Sequence, residues 1–319
     1  MIREMSVTDN MSGFLCVGLV VCDILVKPVC ADALRVDSSR IDTLELCPGG
    51  DAMNVACNLS RLGLDVTLVG RVGEDGFGRL IRDELTKAGV TDALIVDGTQ
   101  ATSTSLVLIE ENGERHFLYY GKTNDMLRRD DVPDVLLRQA RHMHIGSAFA
   151  LRSLDGDGMV SLLRDAKQLG VTTSLDTTCD TEGVWYGKIK EGLPFIDFFM
   201  PSIDEARSIS QAFSPEEIER FFQRTGIGCL VIKLGERGCY VTDFTRRATI
   251  DPYPEKQKLD TTGAGDAFVA GFLSGIAQRK DIFHCGRRGN ALAARCIEGY
   301  GAQVRGIDDA LRRMLDHLK

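Results

Sequence analysis

Asp260-Thr261-Thr262-Gly263-Ala264-Gly265-Asp266-Ala267-Phe268 is followed by Gly271 and an apolar run, so small residues open a helix whose first turn carries an acid. Backbone N–H groups at such a helix mouth point outward with the positive end of the dipole, and Gly263, Ala264 and Gly265 allow a phosphate to approach them closely. Phosphate binding alone does not explain Asp266 at the same mouth, because two like charges repel. A reacting hydroxyl beside it does, since a carboxylate can accept the hydroxyl proton. On this stretch alone, Asp266 as a plain helix cap over a tight glycine turn stays open. A Rossmann loop would need Gly or Ala where Phe268 stands, and no GxxxxGK[ST] occurs in the chain, so neither common nucleotide loop fits.

A second pair, Gly49-Gly50, precedes Asp51-Ala52-Met53-Asn54. From there Met53, Val55, Ala56, Leu59 and Leu62 recur at helical spacing up to a stop at Gly63. Taken alone the pair reads equally well as a turn and cap. Two glycine-lined helix mouths together with Asp23, read as a buried-strand residue, supply the donors and acceptors that a polyhydroxylated molecule and a phosphate donor require.

Outward from these mouths the chain alternates strand and helix. Gly13 to Cys22 reads as one buried first strand, followed by strands at 66–69, 142–145, 172–175, 196–199 and 229–233. Helices are expected at 51–62, 77–88, 153–169, 203–211, 215–225, 264–278, 283–298 and 308–318, with a hairpin near 238–250. This rhythm predicts a doubly wound, mostly parallel sheet flanked by helices, in a single domain over 1–319. Segments 24–48 and 97–121 break the rhythm with alternating patterns, the second around an Asn112-Gly113 turn, and are expected to pair as a small inserted β-sheet.

A net charge of −8 argues against a surface that neutralises nucleic-acid phosphates or a membrane. The ten cysteines show no CxxC pair, which speaks for neither a zinc site nor a disulfide framework and fits a reducing cytoplasm. Residues 13–22 are too short to span a bilayer and lack a basic leader, so they are not read as a signal segment.

The ordered set of motifs resembles the ribokinase-like PfkB carbohydrate kinases. It comprises Gly49-Gly50 with Asn54-Val55-Ala56 and Leu62-Gly63, the run Val69 to Gly78, Lys233-Leu234-Gly235 with Gly238, Asp260 to Phe268, and Gly301-Ala302 after a helix containing Asn290. The resemblance implies ATP-dependent phosphorylation of a sugar held by Asp23, Gly49, Gly50, Asp51 and Asn54 under a lid made of the inserted strands, with a nucleoside as the second choice of substrate. It implies a γ-phosphate at the Gly263 to Asp266 amides, Asp266 as base, and the adenine near Lys233, Gly235, Gly238 and Asn290. Glu205 is implied to support Mg²⁺, Asp260 and Thr262 to hold K⁺, and the lid to join a homodimer, with Leu106, Leu108 and Phe117 as apolar lid positions. An ordinary aspartate titrates at about 4, so Asp266 is expected to be ionised at neutral pH. The chain departs from the family pattern at Ser202, which stands where an asparagine is usual. It also departs in the run Asp176 to Asp180, which lacks the arginine that a carboxylated sugar would need.

Overall fold

The computed structural model describes residues 13–318 apart from 113, 300 and 305. Its centre is the strand Phe14–Gly18, buried along its whole length, which pairs in parallel with His142–Ala148 on one side and Val66–Val69 on the other. The nine-stranded sheet runs in the order Arg247–Ile250, Cys239–Thr242, Cys229–Lys233, Phe198–Phe199, Thr172–Thr177, His142–Ala148, Phe14–Gly18, Val66–Val69, Thr91–Asp92. Only the hairpin at the first edge is antiparallel. Central strands buried on both faces read as continuous apolar runs, which is why periodicity locates them without orienting them.

Helices cover both faces. Asp51–Arg61, Gly76–Ala88, Ala264–Ala277, Ile282–Ile297 and Asp309–Asp316 bury apolar residues in one core layer, and Asp157–Gln168, Ile203–Ser210 and Pro215–Phe222 do so in the other. Ala264–Ala277 is buried continuously from Asp266 to Gly275 and crosses Ile282–Ile297 closely. A Cβ on Gly271 would lie 2.6 Å from the Arg288 carbonyl oxygen, so only glycine permits this approach.

The two inserted segments pair as expected. Val21–Lys27 runs antiparallel to Thr43–Gly49 and parallel to Thr104–Ile109, which forms a hairpin with Arg115–Tyr120. Alternation along these strands sorts their side chains. The row Leu46, Ile24, Leu106, Leu118 lies on one face, and the row Cys47, Asp23, Ser105, Tyr119 on the other.

The first strand is a correction. The apolar run 13–22 is two strands, because the chain leaves the large sheet after Gly18 and enters the small one at Val21. Both halves are apolar and buried, so hydropathy carries no sign of the break. Asp23 consequently lies on a half-buried lid strand rather than a central one. The helix expected at 153–169 starts only at Asp157, after Gly156 at φ 78°. Short helices at Lys122–Asp125 and Asp134–Gln139, and a strand pair Arg71–Gly73 with Ile95–Asp97, were not legible in the pattern.

The break depends on Gly18, whose φ of 143° is a conformation essentially confined to glycine and whose added Cβ would meet the Gly146 carbonyl oxygen at 2.2 Å. Gly18→Ala is expected to destabilise the fold by about 2 kcal/mol or more in urea titration. Gly76→Ala, in a helical position with open space around it, is expected to stay within about 1 kcal/mol of the parent.

Candidate active site

Parallel sheets place ligands outside the carboxyl ends of their strands, where the strand order reverses direction. Here that point lies beside Phe14–Gly18, and both glycine-led helix mouths open there. Gly50 has φ 99°, with its Cβ direction blocked 2.5 Å away by the Leu19 carbonyl oxygen. Gly263 is left-handed at φ 72°, and a Cβ on it would meet the Ala302 carbonyl oxygen at 2.2 Å. Each mouth therefore requires glycine.

The two helices meet through their side chains. Asn54 Nδ2 donates to Asp266 Oδ2 at 2.8 Å, while Asn54 Oδ1 is buried without a partner. A Cβ on Gly49 would lie 3.3 Å from Asp23 Oδ2 and 3.4 Å from Asn54 Oδ1, so Asp23, Gly49 and Asn54 share one wall. Asp51 opens its helix and accepts a hydrogen bond from Ser147 Oγ. Ser147, at φ 67°, occupies a conformation uncommon for residues other than glycine. Lys233 Nζ donates to both oxygens of Asp176, at 2.7 and 2.6 Å, and lies 3.5 Å from where a Gly265 Cβ would stand.

These placements revise several expectations. Lys233 turns its ammonium toward Asp176 and the Gly265 mouth, because it ends a central strand alongside Asp176, whereas Gly235 and Gly238 belong to the turn beyond. Ser202 and Glu205 form a reciprocal cap: Glu205 N–H donates to Ser202 Oγ at 3.3 Å, and Glu205 Oε2 accepts from Ser202 N at 2.8 Å and from Thr177 Oγ1 at 2.9 Å. Asp260 Oδ1 and Thr262 Oγ1, the side-chain oxygens expected to serve K⁺, both accept from Arg115 of the lid. Sequence reasoning missed Ser147 and Arg115 as members of this region and read Asp176 only as the start of a run that departs from the family pattern, since each acts through a partner remote in the chain.

Asn290 lies on the wall of a cavity of about 630 Å³ shared with Ile250, Pro252, Tyr253, Phe283 and Arg287. Its Nδ2 donates to the carbonyls of Ile250 and Asp251 at 3.2 and 2.8 Å. Gly238, at φ 79° with its Cβ direction 2.0 Å from the Ile250 carbonyl oxygen, shapes the adjoining turn. The Pro252-Tyr253-Pro254 run was the available signal for this cavity.

Residues 11–309 match the family model described as pfkB family carbohydrate kinase. The chain belongs to the PfkB family of carbohydrate kinases. An uncharacterized sugar kinase of Archaeoglobus fulgidus is 32% identical over 250 residues, covering 77% of this chain and 96% of the relative. Fructokinase-2 of Oryza sativa is 32% identical over 276 residues, covering 80% of each chain. Two solved structures share the fold. Arabidopsis thaliana ribokinase complexed with ribose and ATP superimposes with a TM-score of 0.80 at 23% identity, covering 97% and 100% of the two chains. A ribokinase-II-like protein of E. coli with ATP and Mg²⁺ also gives 0.80, at 21% identity and coverage of 96% and 99%. The PfkB kinase described here is thus an ATP-dependent carbohydrate kinase with a ribokinase-like fold. Among its described residues no helix is long and apolar enough to cross a membrane.

The electrostatics of this PfkB kinase depart from the ordinary. Burial pushes the Asp266 carboxyl well above the usual carboxylate range, with Asp51 and Asp176 adding to it against the Asn54 amide and the Lys233 ammonium. Asp266 is therefore harder to ionise than its sequence suggests. Burial also raises Asp51, and it pushes Asp23 and Asp176 up to about 7. Lys233 opposes its own burial through Asp176 and Glu205, which hold it charged.

A carboxyl raised in the folded protein destabilises the fold above its pKa and ceases to do so once protonated. Asp51→Asn in the ligand-free PfkB kinase is accordingly expected to raise the thermal midpoint at pH 8 by roughly 2–4 °C, the shift that about 1 kcal/mol produces in a domain of a few hundred residues. That gain shrinks as the pH falls and the parent carboxyl takes up its proton. Calorimetry at pH 8 and pH 5 checks the sign, and a gain no smaller at pH 5 would contradict it.

Proposed function

We propose that this kinase transfers the γ-phosphoryl group of ATP to a hydroxyl of an uncharged monosaccharide, a free aldose or ketose of the ribose or fructose type. The observation that carries the reading is the buried Asp266 carboxyl, hydrogen-bonded to Asn54 and set in the first turn of a helix led by Gly263, Ala264 and Gly265. The helix mouth favours the charge on the transferring oxygens, and Asp266, next to the sugar wall, accepts the acceptor hydroxyl's proton late in a loose transition state. Asp23, Gly49, Gly50, Asp51 and Asn54 form that wall. The unsatisfied Asn54 Oδ1 is matched by a sugar hydroxyl.

Charge selects the substrate. Asp51 raises the Asp23, Asp176 and Asp266 carboxyls and Glu205 adds to the negative charge around Asp51 and Asp176, with Lys233 as the ammonium among them. A carboxylate or second phosphate on the sugar would meet like charge here. The same oxygen-rich set suits Mg²⁺, a hard cation bound through carboxylates and substrate phosphates. Glu205 would hold it, and when bound it would supply charge to the phosphoryl oxygens. Lys233 spans Asp176 and the helix mouth, which places its ammonium to meet the same oxygens. The adenine is assigned to the cavity walled by Asn290, Tyr253 and Phe283, beside the turn of Gly235 and Gly238.

An ADP-release assay against fructose, ribose, 2-keto-3-deoxygluconate and adenosine tests the substrate class, and turnover confined to the anionic sugar or the nucleoside would refute it. With the best neutral sugar, Asp266→Asn is expected to lower kcat by at least about 10², the scale of a lost general base, while ATP and sugar binding stay within a few fold. Near-normal turnover by the folded variant would remove Asp266 from the reaction.

The lid's outer face also needs a partner. Leu44, Leu46, Leu106 and Leu118 are exposed, with Leu108 half-buried on the same face, while Phe117 falls on the opposite face with Asp23. A contiguous apolar sheet face of this kind suits a symmetric contact with a second subunit. Light scattering at micromolar concentration is expected to give a homodimer, and Leu46→Glu with Leu106→Glu is expected to give a monomer. A monomeric parent would overturn the dimer.

A further inference from the structure

We propose that Arg115 is a tethered cation. By this inference the lid carries its own guanidinium onto the Asp260-Thr261-Thr262 loop, taking the place of a free monovalent ion and making order at the Gly263 mouth conditional on the lid being down. The inference rests on the reading of Gly263 to Gly265 as the anion-binding mouth.

The geometry is specific. Arg115 begins the second strand of the lid hairpin, 145 residues before Asp260. Its Nη2 donates to Asp260 Oδ1 and its Nη1 to Thr262 Oγ1, each at 2.5 Å. A planar guanidinium offers two such diverging donors in fixed geometry, which a lysine cannot reproduce. The carboxylate it engages is nearly inaccessible, 6% exposed, and is fully used by the protein. Asp260 Oδ1 also accepts Thr262 N–H at 2.8 Å, and Oδ2 accepts Gly301 N–H at 3.0 Å. These two amides and Arg115 hold the Asp260 carboxyl below the usual range although burial pushes it up.

Three segments therefore meet at one carboxylate: the lid hairpin, the loop that leads into Gly263, and the loop whose Ala302 presses on Gly263. A free K⁺ would have to displace a like charge to reach Asp260 Oδ1 and Thr262 Oγ1. The K⁺ role expected from the family resemblance thus does not fit this chain while Arg115 is docked. Arg115 places its guanidinium on Asp260 and Thr262, so it is a positioning residue that acts through them. When the lid lifts, the guanidinium leaves with it, and the mouth loses the clamp that sets its amides.

The test measures turnover and loop protection on the full chain in chloride buffers of matched ionic strength containing K⁺, Na⁺ or tetramethylammonium. For the parent, kcat is expected to vary by less than about twofold among the cations, and amide hydrogen exchange over 260–265 is expected to be the same in all three. Arg115→Ala is expected to lose at least about tenfold in kcat, to exchange faster over 260–265, and to regain several fold on addition of guanidinium or K⁺. Arg115→Lys is expected to fall between the two. Activation of the parent more than about fivefold by K⁺ would overturn the proposal, as would an Arg115→Ala variant with parental kcat. Loss in Arg115→Ala that no cation restores, with Arg115→Lys equally poor, would overturn the charge argument too. A parent without turnover on any sugar would instead count against the reading of the mouth, and loop exchange with Mg²⁺-ATP bound then decides the clamp by itself.

Discussion

Everything at the candidate active centre depends on gathering several carboxylates around two that are buried, Asp176 and Asp266. Asp51, Asp176, Glu205 and Asp266 arrive from four elements of secondary structure, and isolated charges in such surroundings cost several kcal/mol each unless paired or hydrogen-bonded. The structure meets this with one ammonium, from Lys233, and with neutral donors from Asn54, Ser147 and Thr177. Burial, with neighbouring carboxylates adding to it, leaves the Asp51, Asp176 and Asp266 carboxyls raised. The candidate centre is thus rich in oxygen acceptors with a single ammonium, from Lys233, among them.

Much of this was legible in the chain, for reasons that can be stated residue by residue. The Gly263 and Gly50 mouths announce themselves because a backbone at positive φ that touches another chain segment admits glycine alone. The alternation of strand and helix follows from apolar periodicity, and the two inserts betray themselves by breaking it. The split after Gly18 stayed hidden because the run Phe14 to Cys22 is buried on both sides of the break. Lys233 was grouped with Gly235 and Gly238 by proximity in sequence, whereas a strand end and the turn after it face different neighbours. Hidden most deeply was Arg115, since nothing local to a polar hairpin says which loop, more than a hundred residues on, it will reach.

The lid shows how a period of two divides labour. Asp23, Ser105 and Tyr119 look toward the centre, while Ile24, Leu106 and Leu118, one residue along each strand, look away. A slip of one residue in any lid strand would exchange these faces, turning leucines toward Asn54 and an aspartate to the outer surface. The pairing of Val21–Lys27 with strands on both sides holds that register.

The close crossing of Ala264–Ala277 over Ile282–Ile297 has a consequence for how such an enzyme can diversify. Gly271 locks its helix against a neighbouring backbone, so the half of the molecule built on Ala264–Ala277 tolerates little drift. The lid strands, joined to the large sheet by short connections such as Leu19-Val20, contribute only Cys22 to that core among the described residues. Substitutions are then cheaper on the four strands of the small sheet than along the helix crossing, and because those strands come from two segments, 21–49 and 104–120, the two would have to change together.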